Sequence, residues 1–275
     1  MSHPIEQKTS RYALARLSVA ALCILGSASC ATSPTGRRQF IVVPESQMDQ
    51  LGVQSFEQLK QQTPATQNPA LANYVNCVAQ AIVARANVKA QWEIVVFAED
   101  KTVNAFALPG GKIGVYSGLL PVAKTPGELA AVLGHEVSHV VAHHGAERVS
   151  QQEALNLTIN EVGSLMGNPT TRTLAIGALG AGSQVGVLLP FSRLQESEAD
   201  KLGQKLMADA GFDPHESLTL WQNMAALGGA GGPAILSDHP TDGNRLKALQ
   251  DSLDSVMPLF EQAKVEGRIP ICPVP

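Results

Sequence analysis

Apolar residues recur at helical spacing along most of the chain, which predicts a mainly α-helical protein. The clearest helix begins at Thr125-Pro-Gly-Glu128, because a threonine, a proline and a glutamate in this order are typical of an N-cap, a first turn and a capping box. The apolar residues that follow at helical spacing are Leu129, Leu133, Val137 and Val140. Helical patterns also cover residues 45–62, 70–87, 146–166, 192–210, 218–227 and 245–264.

Two segments ahead of this helix have the composition of β-strands. Residues 92–97 are rich in β-branched and aromatic side chains, and residues 103–120 predict a hairpin that turns at Pro109-Gly110-Gly111. The second arm lies just before the helix, so we expect an open sheet edge that binds an extended peptide through backbone hydrogen bonds. The alternative is an internal strand with both edges paired. The residues predicted for the edge are Lys112, Ile113, Gly114, Val115 and Tyr116.

These elements predict one α+β domain over residues 40–275, mostly α-helical, with a small antiparallel sheet or hairpin beside the helix at 125. The chain of 275 residues is long enough for one such domain plus extensions, and it contains no internal repeat. Its net charge is −4 and only 4% of its residues are aromatic. Since neither a basic surface nor a set of stacking rings is available, we expect no binding of nucleic acid.

Residues 1–30 predict an export signal. A basic start precedes a short apolar run over residues 17–26, which is too short to remain as a membrane-spanning helix. Ser27-Ala-Ser-Cys30 resembles a bacterial lipobox, so we expect acylation of Cys30, a tether over residues 31–39 and a periplasmic protein anchored to the outer membrane. A serine at the first lipobox position departs from the usual pattern, and a soluble exported protein is the alternative.

Export would leave Cys77 and Cys272 as a pair in an oxidising compartment. A disulfide between them would tie the C-terminal tail to an early helix. The alternative is two buried free thiols, because the sequence gives no distance between the two residues.

The helix at 125 carries the sequence His135-Glu136-Val137-Ser138-His139. Two histidines four residues apart project from one face of a helix, so both rings can reach a single metal ion. Glu136 follows the first histidine directly, where a carboxylate can take a proton from water that the metal activates. We therefore predict a zinc site, and the alternative is a pair of core or surface histidines.

The histidines that follow this motif are not expected to bind the metal. His143 lies about 12 Å from His135 along a continuous helix, which bonds of about 2 Å cannot bridge. We expect His143 and His144 to close the C-terminal end of the helix instead. A metzincin would need its third histidine at position 145, which is glycine.

Zinc in a hydrolase takes three protein ligands and keeps one position open, so a third ligand is required. Glu196 is the best candidate, and Asp200 shares its helix face, whereas Glu198 points elsewhere. Asp200 can then orient a ligand histidine. The alternative is a charged, solvated helix.

Residues 173–191 form the most hydrophobic stretch after the signal. Four glycines, with Ser183 and Gln184 at the centre, argue against a membrane span. A single span would also place Glu196 across the membrane from the two histidines. We therefore expect a buried packing segment or one that contacts a membrane.

Four motifs occur in order along the chain and together resemble peptidase family M48, the zinc metallopeptidases of the HtpX and CAAX-prenyl-protease kind. The resemblance covers about residues 40–265 and is greatest to short bacterial envelope lipoproteins similar to LoiP and BepA. The motifs are Asn-Ala-Phe-Ala-Leu-Pro-Gly-Gly at 104–111, Gly-Leu-Leu at 118–120, Glu-Leu-Ala-Ala-Val-Leu-Gly-His-Glu-Val-Ser-His at 128–139 and Ser-Arg-x-x-Glu-x-Glu-Ala-Asp at 192–200.

This resemblance implies a zincin-like fold of the gluzincin type with one zinc ion per chain. The implied zinc ligands are His135, His139 and Glu196. The implied catalytic base is Glu136, and Asp200 is a supporting acid. His239 resembles a residue that can approach the zinc and gate the site.

The implied function is that of a zinc-dependent endopeptidase of the bacterial cell envelope, with extended, unfolded or misassembled proteins as its substrates. The alternative is an envelope assembly factor or chaperone, which would bind the same proteins through the sheet edge and seldom cut them.

Overall fold

A computed structural model describes residues 30–165, 191–227, 233–239 and 244–275, with the backbone alone for Cys30, residues 156–165 and Asp238. The helices within these ranges are α1 Glu45–Gln62, α2 Pro69–Val83, α3 Pro126–Val141, α4 His144–Leu165, α5 Arg193–Asp209, α6 Glu216–Ala226, α7 Ala234–Asp238 and α8 Arg245–Val265. The strands are β1 Cys30–Thr32, β2 Arg38–Phe40, β3 Glu93–Phe97, β4 Ala105–Leu108 and β5 Lys112–Tyr116. The predicted class, mostly helical with small sheets, is confirmed.

The sheet beside α3 is mixed. The predicted hairpin is confirmed, with β4 and β5 antiparallel and positive φ angles of 77° and 74° at Gly110 and Gly111 in the turn. Strand β3 pairs in parallel with the other side of β5, which gives the order β3-β5-β4. The prediction that Lys112–Tyr116 is an open edge is therefore wrong. Because β5 is hydrogen-bonded on both sides, the edge strand next to α3 is β4.

The N-terminal segment is folded against the domain. Strands β1 and β2 form an antiparallel hairpin, which we call the N-terminal hairpin (residues 30–40). Its Arg37 forms ion pairs with Glu147 on α4 and Glu198 on α5, and Gln39 is 2% exposed. The prediction of a tether over residues 31–39 is therefore wrong, because polar side chains of this segment find buried partners far along the chain.

Helix α3 lies at the centre of the core. Its residues from Gly127 to His139 are buried between the sheet, α2, α5 and α6. The predicted N-cap is confirmed, since the Thr125 hydroxyl accepts a hydrogen bond from the Glu128 N–H at 3.1 Å. The Glu128 carboxylate accepts from the Lys124 N–H at 2.7 Å, so both ends of the cap satisfy free backbone donors.

Helices α3 and α5 cross where each has a glycine. A Cβ atom on Gly203 would lie 2.7 Å from the backbone nitrogen of His135, and one on Gly134 would lie 2.8 Å from the Gly203 carbonyl oxygen. No side chain fits between the two helices at this point. The contact therefore fixes the distance between the motif on α3 and the acidic side chains on α5.

Cys77 on α2 and Cys272 in the C-terminal segment are joined in a disulfide, with a Cα–Cα distance of 5.7 Å. This confirms the first of the two predictions made for these cysteines.

In the described part of the chain, we find no helix with both the length and the apolar character needed to cross a membrane. Apart from Cys30 and Phe191, the predicted export signal and the hydrophobic stretch at 173–191 lie outside the described residues.

Candidate metal centre

Helix α3 brings the two histidines of the motif together as predicted. The Nε2 atoms of His135 and His139 are 3.1 Å apart, and both side chains are buried. Their spacing of four residues places one ring above the other on the face of α3 that packs against α5. The two lone pairs therefore converge on one point beside α5.

Glu196 supplies the third group. A capping box begins α5, because the Ser192 hydroxyl accepts from the Gln195 N–H and the Gln195 side chain accepts from the Ser192 N–H. This start places Glu196 in the first turn of α5. Its Oε2 lies 3.4 Å from the Nε2 of His135, and its Oε1 lies 3.6 Å from the Nε2 of His139.

The geometry of these three groups fits a metal ion. Ligand atoms held at about 2.0 Å from zinc at tetrahedral angles are about 3.3 Å apart. The separations of 3.1, 3.4 and 3.6 Å lie close to that value. In addition, Glu196 Oε2 and Glu136 Oε1 are buried and make no hydrogen bond with any described residue. Arg245 Nη2 lies 3.6 Å from Glu196 Oε2, beyond hydrogen-bond distance, so these buried carboxylate oxygens can still accept a further positive partner.

His239 is the fourth member of the cluster. It follows α7, and its Nδ1 lies 2.9 Å from Glu196 Oε1 and 3.2 Å from His135 Nε2. Its Nε2 lies 3.4 Å from Glu136 Oε1. The four residues that could hold a metal ion, with donor atoms all within 4.8 Å of one another, are His135, His139, Glu196 and His239. His239 thus approaches the site as predicted, and its gating role stays a prediction.

His135 is supported directly by a carboxylate, as predicted for Asp200. The Nδ1 of His135 lies 2.9 Å from Asp200 Oδ1, and Arg245 Nη2 donates to the same oxygen at 2.5 Å. The Arg245 guanidinium lies over the Trp221 ring, 3.3 Å from its centroid. Burial raises the pKa of Asp200, but the charge of Arg245 and the hydrogen bond and charge of His135 together outweigh burial, so the pKa lies below its ordinary value. Asp200 is therefore an anion that fixes the His135 ring.

His139 is supported by a histidine, which the sequence did not indicate. The helix breaks at His143, whose φ angle is +53°, and the chain turns His144 back beneath His139. The Nδ1 atoms of His144 and His139 are 2.9 Å apart, and His144 Nε2 lies 3.2 Å from Glu198 Oε2. His144 does not close the helix end as expected, since it is fully buried. His143, with its positive φ angle, lies at the end of the helix as expected, and the turn there carries His144 into the core.

Burial sets the protonation of the central groups. It lowers the pKa of His139 well below the ordinary value, and the charge of His135 adds to this effect. Burial also raises the pKa of Glu136, although the neighbouring His239 charge opposes it. A neutral His139 offers a lone pair to a metal ion, and a carboxyl group with a raised pKa is a better proton acceptor than an ordinary glutamate.

A groove leads to the cluster from the edge of the sheet. Glu136, His139 and His239 lie on its wall together with residues of β4. The Tyr116 N–H donates to the Asn104 carbonyl, so by alternation along an antiparallel pair the backbone groups of Ala105 and Ala107 point away from β5. The groove therefore has a backbone edge on one side and the cluster beside it.

Phe191 also lies in the groove, and the sequence did not indicate this, as it did not indicate the contact of His144. Its ring stacks on His139 with a centroid distance of 3.8 Å. The guanidinium of Arg148, on α4, lies 4.2 Å from the centroid of the Phe191 ring. The pattern of the chain could not identify it, because the stretch that precedes it has no periodicity that orients a side chain toward α3. Phe191 adds an apolar surface beside the cluster.

The chain is similar in sequence to known metallopeptidases. A family model described as Peptidase family M48 matches residues 69–253, which is more than half of the chain. The mitochondrial metalloendopeptidase OMA1 of Schizosaccharomyces pombe is 38% identical over 190 residues, which make up 66% of this chain and 52% of that protein. The Beta-barrel assembly-enhancing protease of Escherichia coli is 30% identical over 222 residues, which make up 78% of this chain and 45% of that protein.

The chain spans about half the length of these relatives. The mitochondrial metalloendopeptidase OMA1 of Arabidopsis thaliana is 39% identical over 158 residues, 58% of this chain and 31% of that protein. The matched family range includes every residue of the metal-binding cluster. With the helix pattern, the cluster and the family match in agreement, the chain belongs to peptidase family M48.

Proposed function

We propose that the chain is a zinc-dependent endopeptidase. The observation that carries this proposal is the buried cluster of two histidines and Glu196, with Glu136 beside it. The residues that would hold the zinc are His135, His139 and Glu196, one ion per chain. When bound there, zinc would supply a positive charge that activates water and polarises a peptide carbonyl.

The protein's own contribution to hydrolysis centres on Glu136. This carboxylate takes a proton from the attacking water and hands it to the leaving amine. Its Oε1 is free of hydrogen bonds to described residues, so it is available for that proton. His239 Nε2 lies 3.4 Å from the same oxygen and can orient it or donate to the substrate oxygen.

The substrate class follows from the edge of β4. A peptide segment in extended conformation can pair with the outward Ala105 carbonyl and with the outward backbone groups of Ala107, which replaces the role first predicted for β5. The Ala105 N–H donates to the Asn104 side chain at 2.9 Å. This pairing uses backbone atoms, so it accepts many sequences but requires that the segment be unfolded. We therefore propose extended segments of unfolded or misassembled proteins as substrates.

The proposed compartment is the bacterial cell envelope, with Cys30 as a lipid anchor to the outer membrane. The disulfide between Cys77 and Cys272 supports an oxidising compartment, and the Escherichia coli relative is named for β-barrel assembly. The OMA1 relatives are named as mitochondrial, so they support the chemistry and not the compartment.

The test of the peptidase proposal is Glu136→Gln. This variant keeps the size of the side chain and removes the proton acceptor, so we expect it to bind zinc like the wild type and to lose cleavage of casein by at least about 100-fold. Zinc content and the rate of casein cleavage are measured on the same preparations. If the variant retains its zinc and cuts casein at the wild-type rate, the peptidase assignment is wrong.

The second candidate is an assembly factor or chaperone, which the words assembly-enhancing in the name of the Escherichia coli relative favour. His239→Ala is assayed beside the wild type, because a site covered by His239 would mask activity in the unmodified protein. Cleavage by His239→Ala alone supports a covered peptidase site. If neither protein cuts casein and both suppress aggregation of an unfolded protein, the chaperone function is supported instead.

A further inference from the structure

Arg37 joins the N-terminal hairpin to two helices of the metal centre. Its Nη1 and Nη2 donate to the two carboxylate oxygens of Glu147 on α4 at 2.7 and 2.8 Å. Its Nε donates to Glu198 Oε2 on α5 at 2.8 Å. Both carboxylates are only 4% exposed, so each requires a cation to stay ionised at this depth. Arg37 provides that cation for both.

Other residues of the hairpin bind the same region. The Thr35 hydroxyl donates to Glu198 Oε1 at 2.5 Å, which occupies the second oxygen of that carboxylate. The Gln39 side chain donates to the Ala142 carbonyl, at the end of α3, at 2.7 Å. The hairpin therefore fixes the position of Glu198 and also holds the end of the helix that carries His139.

A chain of hydrogen bonds leads from Glu198 to a ligand atom. The Glu198 carboxylate, which is paired with Arg37, accepts from His144 Nε2 at 3.2 Å. The other nitrogen of His144, Nδ1, lies 2.9 Å from His139 Nδ1, so the two rings share one hydrogen bond. A His139 whose Nε2 binds the proposed zinc carries its proton on Nδ1, and this N–H then donates to His144.

We propose that Arg37 is a positioning residue of the metal centre, which holds Glu198 and through His144 fixes the ring and the tautomer of His139. The N-terminal hairpin thus helps to position a residue of the metal site, although it precedes the residues that match the family. This inference deepens the proposed function and rests on its zinc site, but it does not depend on peptide cleavage.

The experiment compares Arg37→Ala with Arg38→Ala in the full chain. Arg38 is the next residue of the same hairpin, is exposed, and loses the same charge on substitution, so it is a matched control. We measure zinc affinity by competition with a chelator, below the unfolding temperature of every variant, and the visible absorption spectrum of each protein loaded with Co²⁺. Arg37→Ala should bind zinc about tenfold more weakly and shift the Co²⁺ bands, as expected when an outer partner of a ligand is lost.

Arg37→Lys is a graded test. Lysine keeps the charge but lacks the planar fork that binds Glu147 and Glu198 together, so we expect a zinc affinity between those of the wild type and Arg37→Ala. Arg38→Ala should match the wild type in zinc affinity and in its Co²⁺ spectrum.

The inference is overturned if Arg37→Ala keeps the zinc affinity and the Co²⁺ spectrum of the wild type, even when its unfolding temperature falls, because the hairpin then only stabilises the fold. If Arg37→Ala does not fold, Glu198→Gln takes its place, and its zinc affinity and Co²⁺ spectrum are measured in the same way.

Failure of the proposed function would give a different experimental result. If the chain binds zinc but cuts casein neither as the wild type nor as His239→Ala, the peptidase activity is contradicted and this inference still stands.

Discussion

The two histidines of the α3 motif, both proposed as ligands, lie on one helix, yet they are held in different ways. His135 donates directly to Asp200, which shares α5 with Glu196, the third proposed ligand. His139 contacts a second histidine, His144, whose other nitrogen contacts Glu198. The first support lies within the core of the domain, and the second reaches the N-terminal hairpin through Arg37. A single metal site can therefore depend on both the core and a terminal segment.

The two supports should differ in how easily they are separated from the site. Asp200 and Glu196 lie one turn apart on α5, so any movement of that helix displaces a ligand and a support together. The support of His139 passes through residues that do not bind the metal themselves. It can therefore be weakened in steps without displacing a ligand.

The largest effect should come from Gly203→Ala, because a shift of α5 would disturb the supports of both histidines. The new Cβ would lie 2.7 Å from the His135 backbone nitrogen and would push α5 away from α3. Overpacking of this kind costs about 1–3 kcal/mol. Because the displaced helix carries Glu196, we also expect zinc affinity to fall by more than about 100-fold, beyond the loss of one outer partner.

Gly145→Ala is the control for that substitution. Its Cβ would meet only the Met48 side chain at 3.7 Å, which is ordinary contact, and alanine is the better helix former. We expect no loss of zinc affinity and no loss of unfolding free energy, measured by denaturant titration. A Gly203→Ala protein as stable and as tight for zinc as Gly145→Ala would show that the helix crossing does not set the site.

The next largest effect is the loss of zinc affinity when either support is removed, and we expect the two losses to differ. Asp200→Asn leaves the buried Arg245 without its closest anion and replaces the charged acceptor of His135 with a neutral amide, so we expect a loss of zinc affinity near the upper end of about 10–100-fold. In Glu198→Gln the amide oxygen still accepts from His144, so the loss should lie near the lower end of that range. Equal losses, or a larger loss for Glu198→Gln, would contradict the difference between the two supports.

The smallest effect concerns Glu147, the other carboxylate that Arg37 binds. Burial raises the pKa of Glu147, but hydrogen bonds, led by that from Arg37, outweigh burial and keep the pKa below its ordinary value of 4.5. A lowered pKa favours the ionised folded state, so this stabilisation is complete above pH 4.5 and is lost as the pH falls through the folded-state pKa.

Glu147→Gln removes that titration. The difference in unfolding free energy between wild type and variant should be widest at neutral pH and should shrink as the solution is acidified. Denaturant titrations over a pH series measure it, with zinc affinity at neutral pH nearly unchanged. A difference that stays constant or grows toward acid would show that Arg37 does not hold Glu147 ionised.

Local patterns predicted those parts of the protein in which neighbours along the chain interact. The start of α3 follows from Thr125 and Glu128, and the pairing of Asp200 with Glu196 on one helix face follows from their spacing. The disulfide was one of two open predictions, because the compartment could be inferred from the sequence and the distance between Cys77 and Cys272 could not.

The predictions that proved wrong all depend on contacts between distant parts of the chain. Strand β5 became central because β3 returned to its other side, which no alternation of residues could reveal. The hairpin proved folded because Arg37 meets partners 110 and 161 residues away. The role of His144 was missed because its partner Glu198 lies 54 residues away, and spacing along the chain does not reveal that contact.

The most direct test of the metal centre is X-ray absorption at the zinc edge of the purified, zinc-loaded chain. We expect one zinc ion per chain, with light-atom ligands at about 2.0–2.1 Å and the outer scattering of at least two imidazole rings. We expect no sulfur ligand. A sulfur shell at about 2.3 Å, or light-atom ligands without imidazole scattering, would contradict the assignment of His135 and His139 as the core of the site.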